Sequence, residues 1–116
     1  MDIHAARAAN TTVTLGNPIV FTVVTSTDVD ELVIMEGRKT EVQPDSISYV
    51  DGENGQRTWT VTIATKTTGF KLYDIKGVGD FGIATETAKV VSVIVTKKAS
   101  FGQSPILVPF PVSVEK

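Results

Sequence analysis

The chain has no cysteine among its 116 residues, which excludes disulfide bonds and thiolate metal sites. Its fold must therefore be held by the burial of apolar side chains and by backbone hydrogen bonds. The chain also has a single histidine, His4, and it lies where no strand pattern is visible. No Ser-His-Asp relay and no imidazole-bearing zinc site can then be assembled within the core, and we expect that the protein is not an enzyme.

An excess of charge of one sign is also lacking, because 11 Lys and Arg stand against 13 Asp and Glu. Without a broad cationic field, nucleic acid is not an expected partner. No apolar run is long enough to cross a bilayer, so membrane insertion is not expected either, and residues 1–10 lack the features of a secretory signal. We interpret the chain as intracellular or as a piece of a larger protein, and the alanine-rich start favours the second.

The most informative pattern that is present covers residues 57–65, which read RTWTVTIAT. Trp59, Val61 and Ile63 alternate with threonines, and this period of two is typical of a half-buried β-strand. A large indole on the apolar side must contact a second layer, and another sheet is the simplest one. The pattern therefore predicts an all-β protein built from two packed sheets.

Short strand patterns recur along the chain and are separated by turns rich in Gly, Asn, Asp and Pro. They predict an antiparallel β-sandwich of seven or eight strands over residues 11–98, with residues 1–10 as a lead-in. The run at residues 31–36 is apolar throughout its middle and does not indicate which face is buried. The residues assigned to the core are Phe21, Trp59, Val61, Ile63, Tyr73 and Ile75.

Residues 99–116 form a tail in which apolar residues alternate while three prolines remove ladder donors. One interpretation is an extended linker that leads to another module. The other is a strand that is donated to a second chain or domain, since an alternating apolar segment with one free edge suits strand addition.

Three short motifs resemble the immunoglobulin-like or fibronectin-III-like repeats of secreted and surface proteins of bacteria, over about residues 11–97. They are Gly16-Asn17-Pro18-Ile19-Val20-Phe21, Arg57-Thr58-Trp59-Thr60-Val61 and Tyr73-Asp74-Ile75-Lys76-Gly77. The resemblance implies an immunoglobulin-like sandwich with a modular, non-catalytic role, and it carries no binding residues across. The chain departs from vertebrate immunoglobulin domains because it has no cysteines and because its tryptophan comes late.

An immunoglobulin-like strand order would bring several acidic turns to one end of the sandwich. Carboxylates from several loops are what Ca²⁺ requires, so a calcium site is one hypothesis. The alternative is that aspartate is common in turns because it bonds its own backbone. The residues concerned are Asp28, Asp30, Asp51, Glu53 and Asp80.

Two other features have a functional and a structural interpretation. Residues 77–82 match the nucleotide-binding pattern G-x-G-x-x-G, but a strand and not a helix follows, which favours a turn. Trp59 could stack on a sugar, but its register with Val61 and Ile63 favours the core. If any ring contacts a partner, we expect it to be Phe81, at a loop tip.

Together these observations favour a structural or interaction module, a spacer or adhesion-type domain, within a larger extracellular or cell-surface protein. Its expected partners are neighbouring domains of the same polypeptide and a protein or glycan ligand, and no cofactor is expected beyond the calcium of that hypothesis. One alternative is a carbohydrate- or protein-binding module that uses the loop end near Asp28, Asp51 and Asp80. Another is a virion or appendage subunit that exchanges its C-terminal strand.

Overall fold

The computed structural model of the chain describes residues 1–85 and 88–97. Within them lie nine β-strands and one short 3-10 turn, at Asp80–Gly82. The strands are β1 (Ile3–Ala8), β2 (Thr12–Thr14), β3 (Ile19–Ser26), β4 (Glu31–Glu36), β5 (Thr40–Val42), β6 (Ser46–Asp51), β7 (Gln56–Ile63), β8 (Gly69–Val78) and β9 (Lys89–Thr96). In this part of the chain there is no helix with the length and apolar character needed to span a membrane. The predicted tail at residues 99–116 lies outside the described residues.

The strands form two sheets, which confirms the prediction of an all-β protein. The first sheet has the order β1-β3-β7-β6, and the second has the order β2-β9-β8-β4-β5. The described part of the predicted range, residues 11–97, holds eight strands, β2 to β9, and β1 is an additional strand before it. One detail of the prediction is wrong, because the pair β2–β9 is parallel while the other pairs are antiparallel.

The additional strand comes from the segment that was predicted to be a lead-in, residues 1–10. Residues 3–8 form β1, which pairs with β3 from Ile3 opposite Thr25 to Ala8 opposite Phe21. Ile3 is buried in the core, and the register shifts between Ile3 and Ala5. The alanines of β1 are small and give no apolar alternation, although their backbone can still complete the edge of a sheet. The prediction for residues 1–10 is therefore wrong for this strand.

The core lies between the inner faces of the two sheets. The rings of Phe21 and Tyr73 meet across it with centroids 5.1 Å apart. Trp59 is 3% exposed, and its indole N–H donates a 2.9 Å hydrogen bond to the buried hydroxyl of Thr25. The residues assigned to the core from the sequence are all buried here, namely Phe21, Trp59, Val61, Ile63, Tyr73 and Ile75.

The short strands β5 and β6 lie at the edges of opposite sheets. Pro44 lies between them, where the chain leaves the second sheet and joins the first. Proline has no N–H to donate to a ladder, so it fits this crossing better than a position inside a strand. The segment around Pro44 therefore combines two edge strands with a change of sheet.

The strand registers define two ends of the molecule. At the upper end, Ser26 pairs with Gln56 and Glu31 pairs with Val78, so the connections at residues 27–30, 52–55 and 79–85 gather there. At the lower end, Ile19 pairs with Ile63 and Gly69 pairs with Val95, which gathers residues 15–18, 43–45 and 64–68.

Candidate functional site

The upper end presents an aromatic side chain to solvent. Phe81 is 99% exposed, and it lies in the turn Asp80–Gly82 with a φ of 62°. The turn is closed by a hydrogen bond of 2.8 Å from the N–H of Gly79 to the carbonyl oxygen of Ile83. A bulky residue at positive φ is strained by roughly 1 to 3 kcal/mol, and such strain is concentrated at functional sites. The loop therefore holds an apolar ring in water at an energetic cost.

A shallow pocket of about 230 Å³ lies beside this ring, lined by Met1, Asp28, Asp80, Phe81 and Ile83. Ile83 is itself 59% exposed, so it extends the apolar surface of Phe81. Asp28 and Asp80 line the same pocket. The upper end thus combines an exposed apolar pair with negative charge, which suits a partner that carries apolar and basic groups.

The structure brings the turns of the calcium hypothesis to this same end but does not gather their carboxylates around one point. Among the residues that the structure describes, no three His, Cys, Asp or Glu side chains come close enough to hold a metal ion. Asp28 accepts a 2.5 Å hydrogen bond from the hydroxyl of Ser26 and lies 3.2 Å from the N-terminal amine, and these contacts lower its pKa. The hypothesis therefore has no ligand set in this part of the chain.

Asp51 is engaged by a residue that the sequence analysis did not assign to a site. The Nε of Arg57 donates to one of its carboxylate oxygens at 2.6 Å, and Nη2 donates to the other at 3.1 Å. Nη1 donates at 2.9 Å to the carbonyl oxygen of Val29, and the guanidinium lies 4.0 Å from the centre of the Tyr49 ring. Arg57 therefore ties the β6–β7 hairpin to the β3–β4 connection and positions both at the upper end.

The sequence did contain a signal for this role. Arg57 lies two positions before Trp59 and four before Val61 on the same strand, so a strict alternation places its side chain on the inner face with theirs. Its side chain is only 11% exposed. A charged residue on an inner face needs a partner, and the facing residue on β6 is Asp51.

The pair of Arg57 and Asp51 should make the stability of the fold depend on acid pH. The hydrogen bonds that Asp51 accepts from Arg57 lower the pKa of the Asp51 carboxyl below its ordinary value of 3.8. Because the pKa of Asp51 is lowered in the folded state, the ionised carboxylate stabilises the fold above about pH 4. This contribution to the free energy of unfolding is lost as the pH falls through the pKa that Asp51 has in the folded state. The Tm of an Arg57→Met variant, followed by circular dichroism from about pH 5 to about pH 2, should fall less steeply than the Tm of the parent chain.

Arg38→Met is the matched control, because Arg38 also forms an ion pair, with Asp74, but its side chain is 66% exposed. The acid slope of this variant should match that of the parent chain. Parallel curves for the parent chain and Arg57→Met would contradict the assigned role of Arg57.

A larger cavity, of about 400 Å³, opens at the lower end between the sheets. The buried side chains of Ile19, Ile63, Tyr73 and Val95 form its inner wall. Burial, together with the nearby Glu36 carboxylate, raises the pKa of Tyr73 to about 12, so its hydroxyl stays protonated at neutral pH. The cavity is lined by polar as well as apolar side chains, and no single motif in the sequence predicted it.

Charged side chains surround the mouth of this lower cavity. They include Lys66 and Lys71 as well as Glu36, Glu41 and Asp45. Asp45 is already engaged, because one of its carboxylate oxygens accepts a 2.6 Å hydrogen bond from the N–H of Ala64. By contrast, the described residues of the upper-end connections, at 27–30, 52–55 and 79–85, contain carboxylates and no basic side chain. Lysines therefore accompany the carboxylates at the lower end, whereas these upper-end connections contain carboxylates alone.

Comparisons with known proteins find no family model and no curated protein that this chain matches.

Proposed function

We propose that the chain is a non-catalytic structural and interaction module, an immunoglobulin-like domain of a larger extracellular or cell-surface protein. Strand order supports this. In immunoglobulin-like domains, strands A, B, E and D form one sheet, and strands C, F and G form the other. The first sheet has this order if β1, β3, β7 and β6 are A, B, E and D, and the second has it if β4, β8 and β9 are C, F and G.

The strand order also explains one departure from the family pattern. Trp59 lies on β7, which corresponds to strand E, whereas the buried tryptophan of antibody domains lies on strand C. Ile34 fills the inward position on β4, opposite Ile75 of β8. The extracellular setting follows from the resemblance to bacterial surface repeats and is part of the proposal.

The interaction site that we propose is the Phe81 loop, and the observation that carries it is the full exposure of this ring in a closed turn. Aromatic side chains contribute a large share of binding energy when a partner covers them. Phe81 and Ile83 provide the apolar contact, and Asp80 favours a protein segment with Lys or Arg beside an apolar side chain, whereas Asp28 is already paired with the N-terminal amine. Asp51 contributes less to such binding, since Arg57 already occupies both of its oxygens.

Selection of peptides from a random display library on the immobilised full chain tests this function. We expect enriched peptides that combine Lys or Arg with an apolar residue and that bind a Phe81→Ser variant about thirtyfold more weakly, as the loss of an aromatic anchor implies. Phe70→Ser is the matched control, because Phe70 is 66% exposed on β8, in the second sheet, and should not affect binding. No enrichment above background, or equal binding to Phe81→Ser, would reject the proposed site.

A further inference from the structure

We propose that the free edge of β6 accepts the tail of a second copy of this chain, residues 106–114, as an added antiparallel strand. Copies then join end to end. The association does not involve the Phe81 loop. It follows from the open edge of β6, from the direction in which a strand can be added there, and from the spacing of prolines in the tail.

Among the described strands, β6 is the edge that is least protected against pairing with another chain. The two sheets have four edges, which are β1, β6, β2 and β5. The strands β2 and β5 are three residues long, and β1 carries a register shift and Arg7, features that discourage such pairing. The six residues of β6 have no register shift, no proline and no basic side chain. Its backbone is therefore open to a further strand.

Two apolar side chains of β6 are left partly uncovered. Ile47 and Tyr49 lie opposite Val61 and Trp59 of β7, and opposite residues of an antiparallel pair share a face. Both side chains therefore lie on the inner face of the sheet, yet Ile47 is 41% exposed and Tyr49 is 48% exposed. An added strand with inward apolar side chains would remove this surface from water, which is the favourable term in apolar association.

The backbone groups of β6 alternate between β7 and the free edge. Gly52, which follows β6, donates a 2.8 Å hydrogen bond to the carbonyl oxygen of Gln56 across the hairpin. Hydrogen-bonded pairs alternate along an antiparallel ladder, so every second residue before Gly52 also bonds to β7. The residues between them direct their N–H and C=O groups to the free edge, namely Ile47, Tyr49 and Asp51.

This alternation determines the direction of an added strand. The residues of β6 that face the free edge are the ones with inward side chains. In an antiparallel partner, each residue that bonds to β6 lies directly opposite one of them, so its side chain also points inward. In a parallel partner the bonding residues are offset by one position and their side chains point outward. Only antiparallel addition lets the same residues supply both the backbone bonds and the apolar cover.

The sequence of the tail meets this requirement. Its prolines all lie at odd positions, and from residue 106 to residue 114 the even positions are all apolar. These residues are Pro105, Pro109 and Pro111, and Ile106, Val108, Phe110, Val112 and Val114. Because the backbone groups of alternate residues point to opposite sides of a strand, the prolines remove donors from one side only. The other side keeps its donors and carries the apolar residues, and residues 99–114 have no charged side chain.

The position of β9 indicates that the acceptor is a second copy. At the lower end Val95 of β9 pairs with Gly69, so the chain leaves the sheet there. Since β6 runs from the lower end to the upper end, an antiparallel strand must begin at its upper end. The tail would have to return along the whole sheet to reach the β6 of its own copy in this direction. A second copy placed below in the same orientation presents the upper end of its β6 without any return.

Such contacts are heterologous, because the tail of one copy binds the edge of the next, and they continue from copy to copy unless a ring closes. Sedimentation velocity of the full chain from about 10 µM to about 1 mM, the range in which a tethered neighbour would act, tests this association. We expect the weight-average sedimentation coefficient to rise with concentration beyond the value of a dimer.

Two pairs of prolines test the role of the tail. Val108→Pro combined with Val112→Pro should abolish the rise, because any three consecutive even positions between residues 106 and 114 include one of the two. Leu107→Pro combined with Ser113→Pro is the matched control. It adds the same number of prolines at odd positions, whose N–H groups face away from β6, and should leave the rise unchanged.

Ile47→Pro tests the acceptor edge. The N–H of Ile47 faces the free edge, so proline here costs no bond to β7 but removes a donor to the added strand. Ala6→Pro is the control, because by the same alternation the N–H of Ala6 faces the free edge of β1. Ile47→Pro should stay monomeric and Ala6→Pro should associate like the parent chain.

A mixture identifies the two surfaces together. Ile47→Pro keeps an intact tail, and the variant with Val108→Pro and Val112→Pro keeps an intact edge. Their mixture should form a dimer and nothing larger. In the parent chain, exchange of the Ile47 and Tyr49 amide protons, followed by NMR, should slow as the concentration rises.

Three results would overturn the inference. The first is a chain that stays monomeric at about 1 mM with fast exchange at Ile47 and Tyr49. The second is equal association of the two double-proline variants, which would indicate pairing between two β6 edges or another contact. The third is slow exchange of these amides in a monomeric chain at every concentration, which would assign the tail to its own copy.

Discussion

Replacing Trp59 with alanine should lower the free energy of unfolding by about 3 to 5 kcal/mol. The side chain is 3% exposed between the two sheets, so its loss removes a large apolar contact and leaves a cavity. The substitution also removes the N–H that donates to the hydroxyl of Thr25, a residue with no exposed surface. Because a domain of this size is stable by only about 5 to 15 kcal/mol, much of the stability should be lost.

Urea unfolding of the full chain, followed by circular dichroism, measures this loss. Tyr49→Ala is the matched control, because its ring lies 4.8 Å from the Trp59 ring but is 48% exposed. The control should cost about 1 kcal/mol, as expected for one aromatic pair at the surface. If Trp59→Ala cost no more than Tyr49→Ala, the ring of Trp59 would not be a central part of the core.

The burial of Trp59 could be predicted from the sequence because the information is local. Strict alternation over β7 fixes which side chains share a face, and a large ring on the apolar face must be covered. The hydrogen-bond partner of the indole could not be predicted in this way. Thr25 is 34 residues away along the chain, and only the pairing of β3 with β7 places Val23 opposite Trp59 and brings Thr25 near.

Two other parts of the fold could not be predicted because their patterns carry no period. The middle of β4 is apolar at every position, so the sequence does not distinguish its two faces. The register with β8 determines which face of β4 is buried, since Ile34 lies opposite the fully buried Ile75. In β1 the alanines are too small to show a face, and the strand is formed because its backbone pairs with β3.

The candidate site was predictable only in part. A phenylalanine between glycines at a loop tip indicates an exposed ring, and Phe81 is exposed. The acidic turns indicated one negatively charged end, which the registers of β3 and β4 produce. Composition could not show that Asp51 is held by Arg57, nor that the lower turns leave a cavity. The first depends on the register of the β6–β7 hairpin, and the second depends on how segments distant in sequence meet.

Replacing Gly79 with alanine should destabilise the upper end and disturb the Phe81 loop together. Gly79 has φ −114° and ψ −156°, which alanine can adopt, so the backbone conformation itself is no obstacle. The obstacle is space. An added Cβ would lie 2.7 Å from the carbonyl oxygen of Asp28 and 2.5 Å from the sulfur of Met1, and the first of these atoms belongs to the backbone of the β3–β4 connection. The two connections would have to separate, at about 1 to 3 kcal/mol.

The same variant links the stability of the loop to its binding. If the β8–β9 loop shifts away from Asp28, the pocket beside Phe81 opens, and peptides selected on the parent chain should bind more weakly although Phe81 is still present. Gly52→Ala is the matched control, because its Cβ would meet only the carbonyl oxygen of Gln56, at an ordinary 3.6 Å. Urea unfolding and peptide binding should both remain near the parent values for Gly52→Ala. A Gly79→Ala chain that matches this control in both measurements would show that the packing of Gly79 against Asp28 does not position the Phe81 loop.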